Sequence, residues 1–481
     1  MVVILENVNG EDAGEAKLNE KRGIRRLVLH WSEKLEKASR NKEVEEWVLD
    51  TLRPPKQLEQ LFIENYGGAK SSTWIADSSF KNMLSLELRN CKNCKSLPSI
   101  GRLLWLKDLS ISGLDQVHKI GAELFGENQS NAFASLESLC FDNMLNWEKW
   151  NLCEDDQQVS RFPSLRKLSI KRCPLLLGRL PTIIQSLQTL EIYECKRLVV
   201  SISCFPLLRK IWVEGCEELV DEGPLSVQKV TSLKDVFVSN ISNFNISAER
   251  IMLRFANFET FCISGWKELG SLSQIGLRLV GHRFIEIVSC PQLVSLETEE
   301  ERLQLDKIPD SNFPPALKEL WIEYCVNLQY LVDEKENNNK PQDFLETIDL
   351  ESIGIRGAEK IKSLPWGLDK LCHLQDIKLS RCPNLVSFEE SGLPTTNLRV
   401  LSVEACENFK ALPKCINNFT FVRELSVWEC SADISFPEEG FPTNLTSLAI
   451  SNAPKIYTSL VDWGFNRLTS LQELNISGIE G

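Results

Sequence analysis

The sequence has only four histidines and five tyrosines in 481 residues. His30, His118, His282 and His373 lie far apart. None sits in a local signature with a serine or cysteine nucleophile, so nucleophilic and acid–base catalysis find no footing. No Gly-x-x-x-x-Gly-Lys-Ser/Thr stretch occurs, which removes a P-loop as a way to hold nucleotide phosphates. No run of 18 apolar residues occurs, so no membrane-spanning helix is expected. A basic surplus is also missing. The net charge of −13 argues against nucleic acid or an acidic membrane surface as the main partner. The stretch Met1 to Val8 carries no basic region before its short apolar run, so no signal peptide is expected there.

Cysteine, by contrast, is plentiful, at sixteen residues. Its spacing reveals the organisation of the chain. Leu165-Arg-Lys-Leu168-Ser-Ile170-Lys-Arg-Cys173, Leu187-Gln-Thr-Leu190-Glu-Ile192-Tyr-Glu-Cys195 and Leu208-Arg-Lys-Ile211-Trp-Val213-Glu-Gly-Cys216 share one pattern, L-x-x-L-x-[IV]-x-x-C, with starts 22 and 21 residues apart. That is the consensus and period of a leucine-rich repeat. The alternation of apolar and polar residues reads as a strand with one buried face, and the remaining residues of each period leave room for a return segment. Nine cysteines, Cys91, Cys173, Cys195, Cys216, Cys290, Cys325, Cys382, Cys406 and Cys430, fall on the last position of the pattern. A small, weakly polar side chain suits that place under the turn, so these are expected to be buried free thiols in a reducing compartment, the cytoplasm. Six N-x-[ST] sequons, at Asn128, Asn240, Asn245, Asn418, Asn444 and Asn475, carry no weight without secretion. Cys91-Lys-Asn-Cys94 is a lone C-x-x-C whose first cysteine is a repeat position, so no metal site is expected.

Further repeats are expected to start at Ile24, Leu58, Met83, Leu106, Leu136, Leu233, Phe258, His282, Leu317, Leu345, Leu374, Leu398, Val422, Leu445 and Leu471. The expected fold is an α/β solenoid of about 18 repeats filling residues 1–481: a leucine-rich-repeat horseshoe with a parallel concave β-sheet and an irregular or short-helical outer wall. Residues 1–57 form irregular first repeats with a helical insert, expected from Ser32 to Leu52 and stopped by Pro54-Pro55. Residues 58–344 hold the middle repeats and 345–481 the last ones. The opening residues continue a repeat, with Val2 and Leu5 at its last consensus positions. Three charged or Asn-rich inserts, Glu154 to Ser160, Glu297 to Asp310 and Asp333 to Gln342, read as loops.

With no catalytic, cofactor or metal residues to name, the exposed side of the strands becomes the candidate site. Trp31, Phe62, Tyr193, Trp212, Phe237, Trp321, Tyr324 and Trp428 are expected on the concave face, where aromatics serve as interface anchors. Arg166, Lys167, Lys171, Arg172, Arg209 and Lys210 are expected to cluster there as a basic docking patch, with Glu191 and Glu194 between them, although any single charge reads equally as a solvated face. The Leu345 repeat presents Glu346, Asp349 and Glu351.

Several stretches go beyond the generic repeat. Leu97 to Gly113, Val117 to Gly126, Cys382 to Phe388 and Phe436 to Leu448 resemble plant disease-resistance proteins of the coiled-coil, nucleotide-binding, leucine-rich-repeat class. Leu5 to Val8, Ala16 to Lys21 and Leu27 to Trp31 resemble the early repeats of that class. The resemblance implies a non-enzymatic recognition domain of an intracellular immune receptor, binding a pathogen effector or a guarded host protein. It implies docking against a nucleotide-binding module of the same receptor, where ADP or ATP would bind; this chain lacks that module and holds no cofactor. Two other readings are an extracellular receptor-like binder, which would need a signal peptide and paired cysteines, and a ubiquitin-ligase substrate adaptor, whose period would be more even.

Overall fold

The computed structural model describes residues 1–6, 8–32, 41–126, 132–151, 162–180, 184–202, 205–220, 233–245, 259–272, 283–296, 317–329, 331, 350–364, 371–388, 393, 397–413, 416–430, 440–451 and 465–477. The chain divides into two compact units, Met1–Leu233 with Asn240–Ile246, and Lys234–Ser239 with Ser247–Gly481. The three charged inserts lie outside the described residues, as do Phe258 and His282.

In the first unit the strands Val2–Leu5, Arg26–Trp31, Gln60–Glu64, Ser85–Arg89, Asp108–Ser112, Ser138–Asp142, Lys167–Lys171, Thr189–Tyr193 and Lys210–Glu214 pair in parallel, each with the next. The register never slips. Leu139, Leu168, Leu190 and Ile211 stand opposite one another on successive strands, and none is more than 1% exposed. A one-residue slip would turn every leucine outward, so the burial itself fixes the pairing. The return segments are more regular than expected. Gly178–Arg179, Leu198–Ser201, Glu218–Val220 and Asn243–Asn245 form a second parallel sheet, and Lys119–Ile120 pairs with Lys149–Trp150.

The second unit repeats the design with Asp235–Ser239, Thr260–Ser264, Phe284–Val288, Glu319–Glu323, Ser352–Arg356, Asp376–Ser380, Val400–Glu404, Glu424–Trp428, Ser447–Ser451 and Glu473–Ser477. One expected repeat starts in a different place. Ile353 and Ile355 fill the core on the strand Ser352–Arg356, so Leu350, not Leu345, takes the first consensus position. Glu346 and Asp349 lie outside the described residues, and Glu351 stands at the strand entry, ion-paired with Lys318.

The insert near the start is a helix from Lys42 to Thr51, shorter than expected and capped by Asn41, whose side chain accepts from the Glu43 N–H at 2.9 Å. Val48 and Leu49 bury its inner face. Glu45 accepts a hydrogen bond from the Gly67 N–H, and Glu46 accepts from Ala69 and Lys70 at 2.9 and 3.1 Å. Two adjacent carboxylates thus fasten the helix to a neighbouring turn. In the first strand Val2 is 66% exposed and Leu5 is buried, so Val3 and Leu5, opposite Leu29 and Trp31, share the core side.

Candidate functional site

Each repeat strand presents three side chains on its open face, at the first, third and fifth of its five residues; the second and fourth are core. Phe62, Trp212, Phe237 and Trp321 occupy the central open-face position, as expected, and Trp212 is 41% exposed. Tyr193 and Trp428 occupy the last open-face position. Trp428 therefore follows the core residue Val427 instead of standing between two core residues, and it faces Glu404 on the adjacent strand.

The residue just after most of the repeat strands takes an unexpected form. Asn65, Asn90, Arg172, Glu194 and Tyr324 have φ between 51° and 60°, the left-handed region. The N–H of this residue donates to the last carbonyl of the following strand, as from Arg172 to Tyr193 at 2.7 Å and from Tyr324 to Arg356 at 2.6 Å. The left-handed turn throws its side chain outward, which is why Tyr324 is 39% exposed although its place in the alternation is a core one. It also drops the next residue, the cysteine, into the core. Among the described residues all nine repeat cysteines are buried and unbridged, and Cys216 is pushed up to about 12 by burial.

Trp31 corrects the expected site. Its strand runs on without the left-handed turn, so Trp31 continues the alternation from Leu27 and Leu29 and is 4% exposed, inside the core. Arg166 and Arg209 also leave the open face. They precede their strands, in a row of entry residues where Arg25 pairs with Glu59 at 3.3 Å, Lys107 with Glu137 at 3.0 Å and Lys234 with Glu259 at 2.7 Å. Arg172 sits on the exit turn and holds Asp142 through two hydrogen bonds, which push its own pKa further up. Lys167, Lys171 and Lys210 do lie on the open face, at the first, last and first positions of their strands. Lys167 and Lys171 both clamp Glu191, at 2.7 and 3.1 Å. Burial works against the Glu191 charge, but the two lysines outweigh it and hold the carboxyl below its ordinary value. The basic patch is thus largely neutralised by its own acids.

Other groups were missed by the sequence reading. His30, Glu64, Arg89 and Glu87 form a chain of contacts on the open face of the first unit, with His30 Nδ1 3.0 Å from Glu64 and Arg89 3.7 Å from its other oxygen. Arg356 and Lys378 stand beside Tyr324 and Trp321 in the second unit. Strand parity from Leu374 already places Lys378 on the open face, and would have placed Arg356 there had Ser-Ile-Gly-Ile-Arg been aligned from Leu350. Among the described residues no three His, Cys, Asp or Glu side chains gather as metal ligands would, and no helix is long and apolar enough to cross a membrane.

Stacked parallel strands of constant register, leucine-lined inside and each closed by a buried cysteine or its equivalent, define a leucine-rich-repeat protein. Residues 1–114 match the family described as R13L1/DRL21 LRRs, and the chain is similar to plant disease-resistance proteins. It is 39% identical over 202 residues to the "Putative disease resistance RPP13-like protein 1" of Arabidopsis thaliana, covering 39% of this chain and 19% of that one. It is 29% identical over 195 residues to the "Putative disease resistance protein RGA4" of Solanum bulbocastanum, again 39% of this chain and 19% of the relative. The chain therefore spans about a fifth of the length of these relatives. Among solved structures, a Leptospira interrogans LRR protein aligns over 98% of this chain and 99% of its own at 17% identity, with a TM-score of 0.45.

Proposed function

We propose that this chain is a non-enzymatic recognition domain of the plant immune-receptor kind, and that the open face of its sheet binds a protein: a pathogen effector, or a host protein that an effector modifies. Trp212 carries the reading. A tryptophan 41% exposed in the middle of a sheet face, beside Tyr193 and the Lys167–Glu191–Lys171 clamp, adds nothing to the core and suits an interface anchor. Its rigid ring loses little freedom on binding. In a longer receptor the same domain would restrain a nucleotide switch, and the nucleotide would bind there and not in this chain. A cytoplasmic setting fits the unbridged, buried thiols.

The test is a hydrogen-exchange footprint of the chain with a panel of purified effectors and their host targets. Protection should fall on residues 189–193 and 210–214, and Trp212→Ala should weaken the same partner at least tenfold without lowering Tm. Protection confined to the return segments, such as 198–201 and 218–220, would overturn the reading.

A further inference from the structure

The open face of the second unit carries an arrangement that the basic patch of the first does not. Trp321 lies flat across the next strand, over Gly354. A Cβ built on Gly354 would come within 2.2 Å of the indole Cε3, so only glycine leaves room for the ring. Three residues further on, Gly357 (φ 66°) makes the same room for Tyr324, whose Cδ1 lies 2.8 Å from the Cβ that glycine lacks. Two aromatics three residues apart thus rest on two glycines three residues apart, and the Trp321 N–H donates to Glu319 at 3.5 Å. The rings are held in place before any partner arrives, which lowers the entropy cost of binding.

Two cations stand against these rings. The Arg356 guanidinium carbon is 5.4 Å from the Tyr324 ring centre, and Lys378 Nζ is 6.0 Å from that of Trp321. In register, Gly354 faces Lys378 and Arg356 faces Ser380, so the two cations are diagonal neighbours on adjacent strands. In the first unit Arg26 lies over the single ring of Phe62, and Lys167, Lys171, Arg172 and Arg89 each hold a carboxylate. Among the described residues neither Arg356 nor Lys378 has one within ion-pairing distance, and Arg356 Nε is buried without any hydrogen-bond partner. Cations that no carboxylate neutralises offer an arriving anion a charge-assisted contact that a lysine already held by an acid does not. The acids nearby are otherwise engaged or set apart. Glu404 accepts from Ser402 at 2.8 Å, and Asp376 feels the Lys378 charge without pairing. Glu323 stands opposite Arg356 and borders the notch.

We propose that the notch between Arg356 and Lys378 receives a single acidic side chain, Asp or Glu, from an extended segment of a protein partner, with an apolar neighbour of that residue resting on Trp321. The occupant follows from charge complementarity. One carboxylate completes the two cations, whereas a run of acids would meet Glu319, Glu323 and Glu404. Beyond Lys378 the central open-face positions are Ser402, Ser426 and Ala449, small enough for a bound backbone to lie close to the sheet. At ~4.8 Å per strand these rungs accommodate a segment of about four or five extended residues. The assignment rests on the open-face recognition reading and gives it a partner chemistry.

The test is selection of a displayed random decapeptide library on the full chain, followed by affinity measurement on the selected peptides. Selected peptides should carry one Asp or Glu next to an apolar residue, and replacing that acid by Asn or Gln should weaken binding at least tenfold. Lys378→Gln, an exposed change that leaves the fold intact, and Arg356→Gln should each do the same, and Trp212→Ala should not. No selected peptide, selection of acidic runs, preference for phosphoserine over Asp, or indifference to Lys378→Gln would each overturn the proposal. Peptides that lose affinity with Trp212→Ala but not with Lys378→Gln would sink the notch while leaving the open-face reading standing.

Discussion

The ring of Trp31 meets that of Tyr66 edge-on, 5.1 Å between centres and 64° between planes, inside the core of the first unit. Tyr66 occupies the place that cysteine takes in other repeats, and its hydroxyl, donating to the Lys70 carbonyl at 2.6 Å, finds the partner that a buried phenol needs. Trp31→Ala should therefore remove a packed aromatic pair and cost about 3–5 kcal/mol. Trp212→Ala, on the open face, should stay within about 0.5 kcal/mol. Urea melts of the two variants give the comparison, and equal losses would place Trp31 outside the core.

The contrast between Trp31 and Tyr324 explains how much of this protein could be read from its sequence. The repeat period, the strand positions and the cysteine row were legible, because each depends on side-chain alternation and burial, which the pattern records directly. The exit turn was not. Asn65, Asn90 and Gly113 hint at a left-handed residue, but Arg172, Glu194 and Tyr324 adopt it with side chains that disfavour it, held by the cross-strand N–H bond. So Trp31 and Tyr324, alike in the alignment, end on opposite sides of the backbone. Part of the basic patch was misplaced for another reason. Arg166 and Arg209 stand one residue before their strands, and the pairing of Lys167 and Lys171 with Glu191 depends on neighbours that lie a full repeat away.

Leu190 and Glu191 are adjacent in sequence and opposite in environment. Leu190 is fully buried between Leu168 and Ile211, and Leu190→Ala should cost about 2–5 kcal/mol. Glu191→Ala breaks two partly exposed ion pairs and should cost no more than about 1 kcal/mol. Reversal of that order in denaturant melts would mean that the strand register is wrong.

Glu191 also makes stability depend on pH. Its folded pKa is depressed, so the unfolded chain binds the proton more tightly. The contribution is therefore complete above the ordinary value of 4.5 and is lost as pH falls below it. The urea midpoint should drop between pH 6 and pH 3.5 by less in Glu191→Gln than in the parent protein. Identical drops would mean that the lysine clamp does not form in solution.

The thiols should react in an order set by burial. Cys372 is exposed and should label within the first minutes with a maleimide, and the half-buried Cys140 and Cys262 should follow. Cys173, Cys195, Cys216 and the other repeat cysteines should label only on unfolding, because all are buried and burial blocks access of the reagent. Mass spectrometry without reduction should find no bridge among them. A Cys173–Cys195 or Cys406–Cys430 disulfide would argue for an oxidising compartment.

Gly354 offers the sharpest test of how Trp321 is held. Its backbone is not in the left-handed region, so Gly354→Ala asks nothing unusual of φ and acts only through the added Cβ. That atom would lie 2.2 and 2.4 Å from Cε3 and Cζ3 of Trp321, too close for the ring to stay where it is. The indole must lift off the sheet, at a cost of about 1–3 kcal/mol in displaced packing. With 5-fluorotryptophan incorporated, the Trp321 fluorine resonance should move toward the solvent-exposed position. The cost of Gly354→Ala should nearly vanish in a Trp321→Ala background, because the clash then has no second partner. If the alanine costs the same in both backgrounds, Trp321 does not rest on Gly354, and the shelf beneath the proposed notch loses its support.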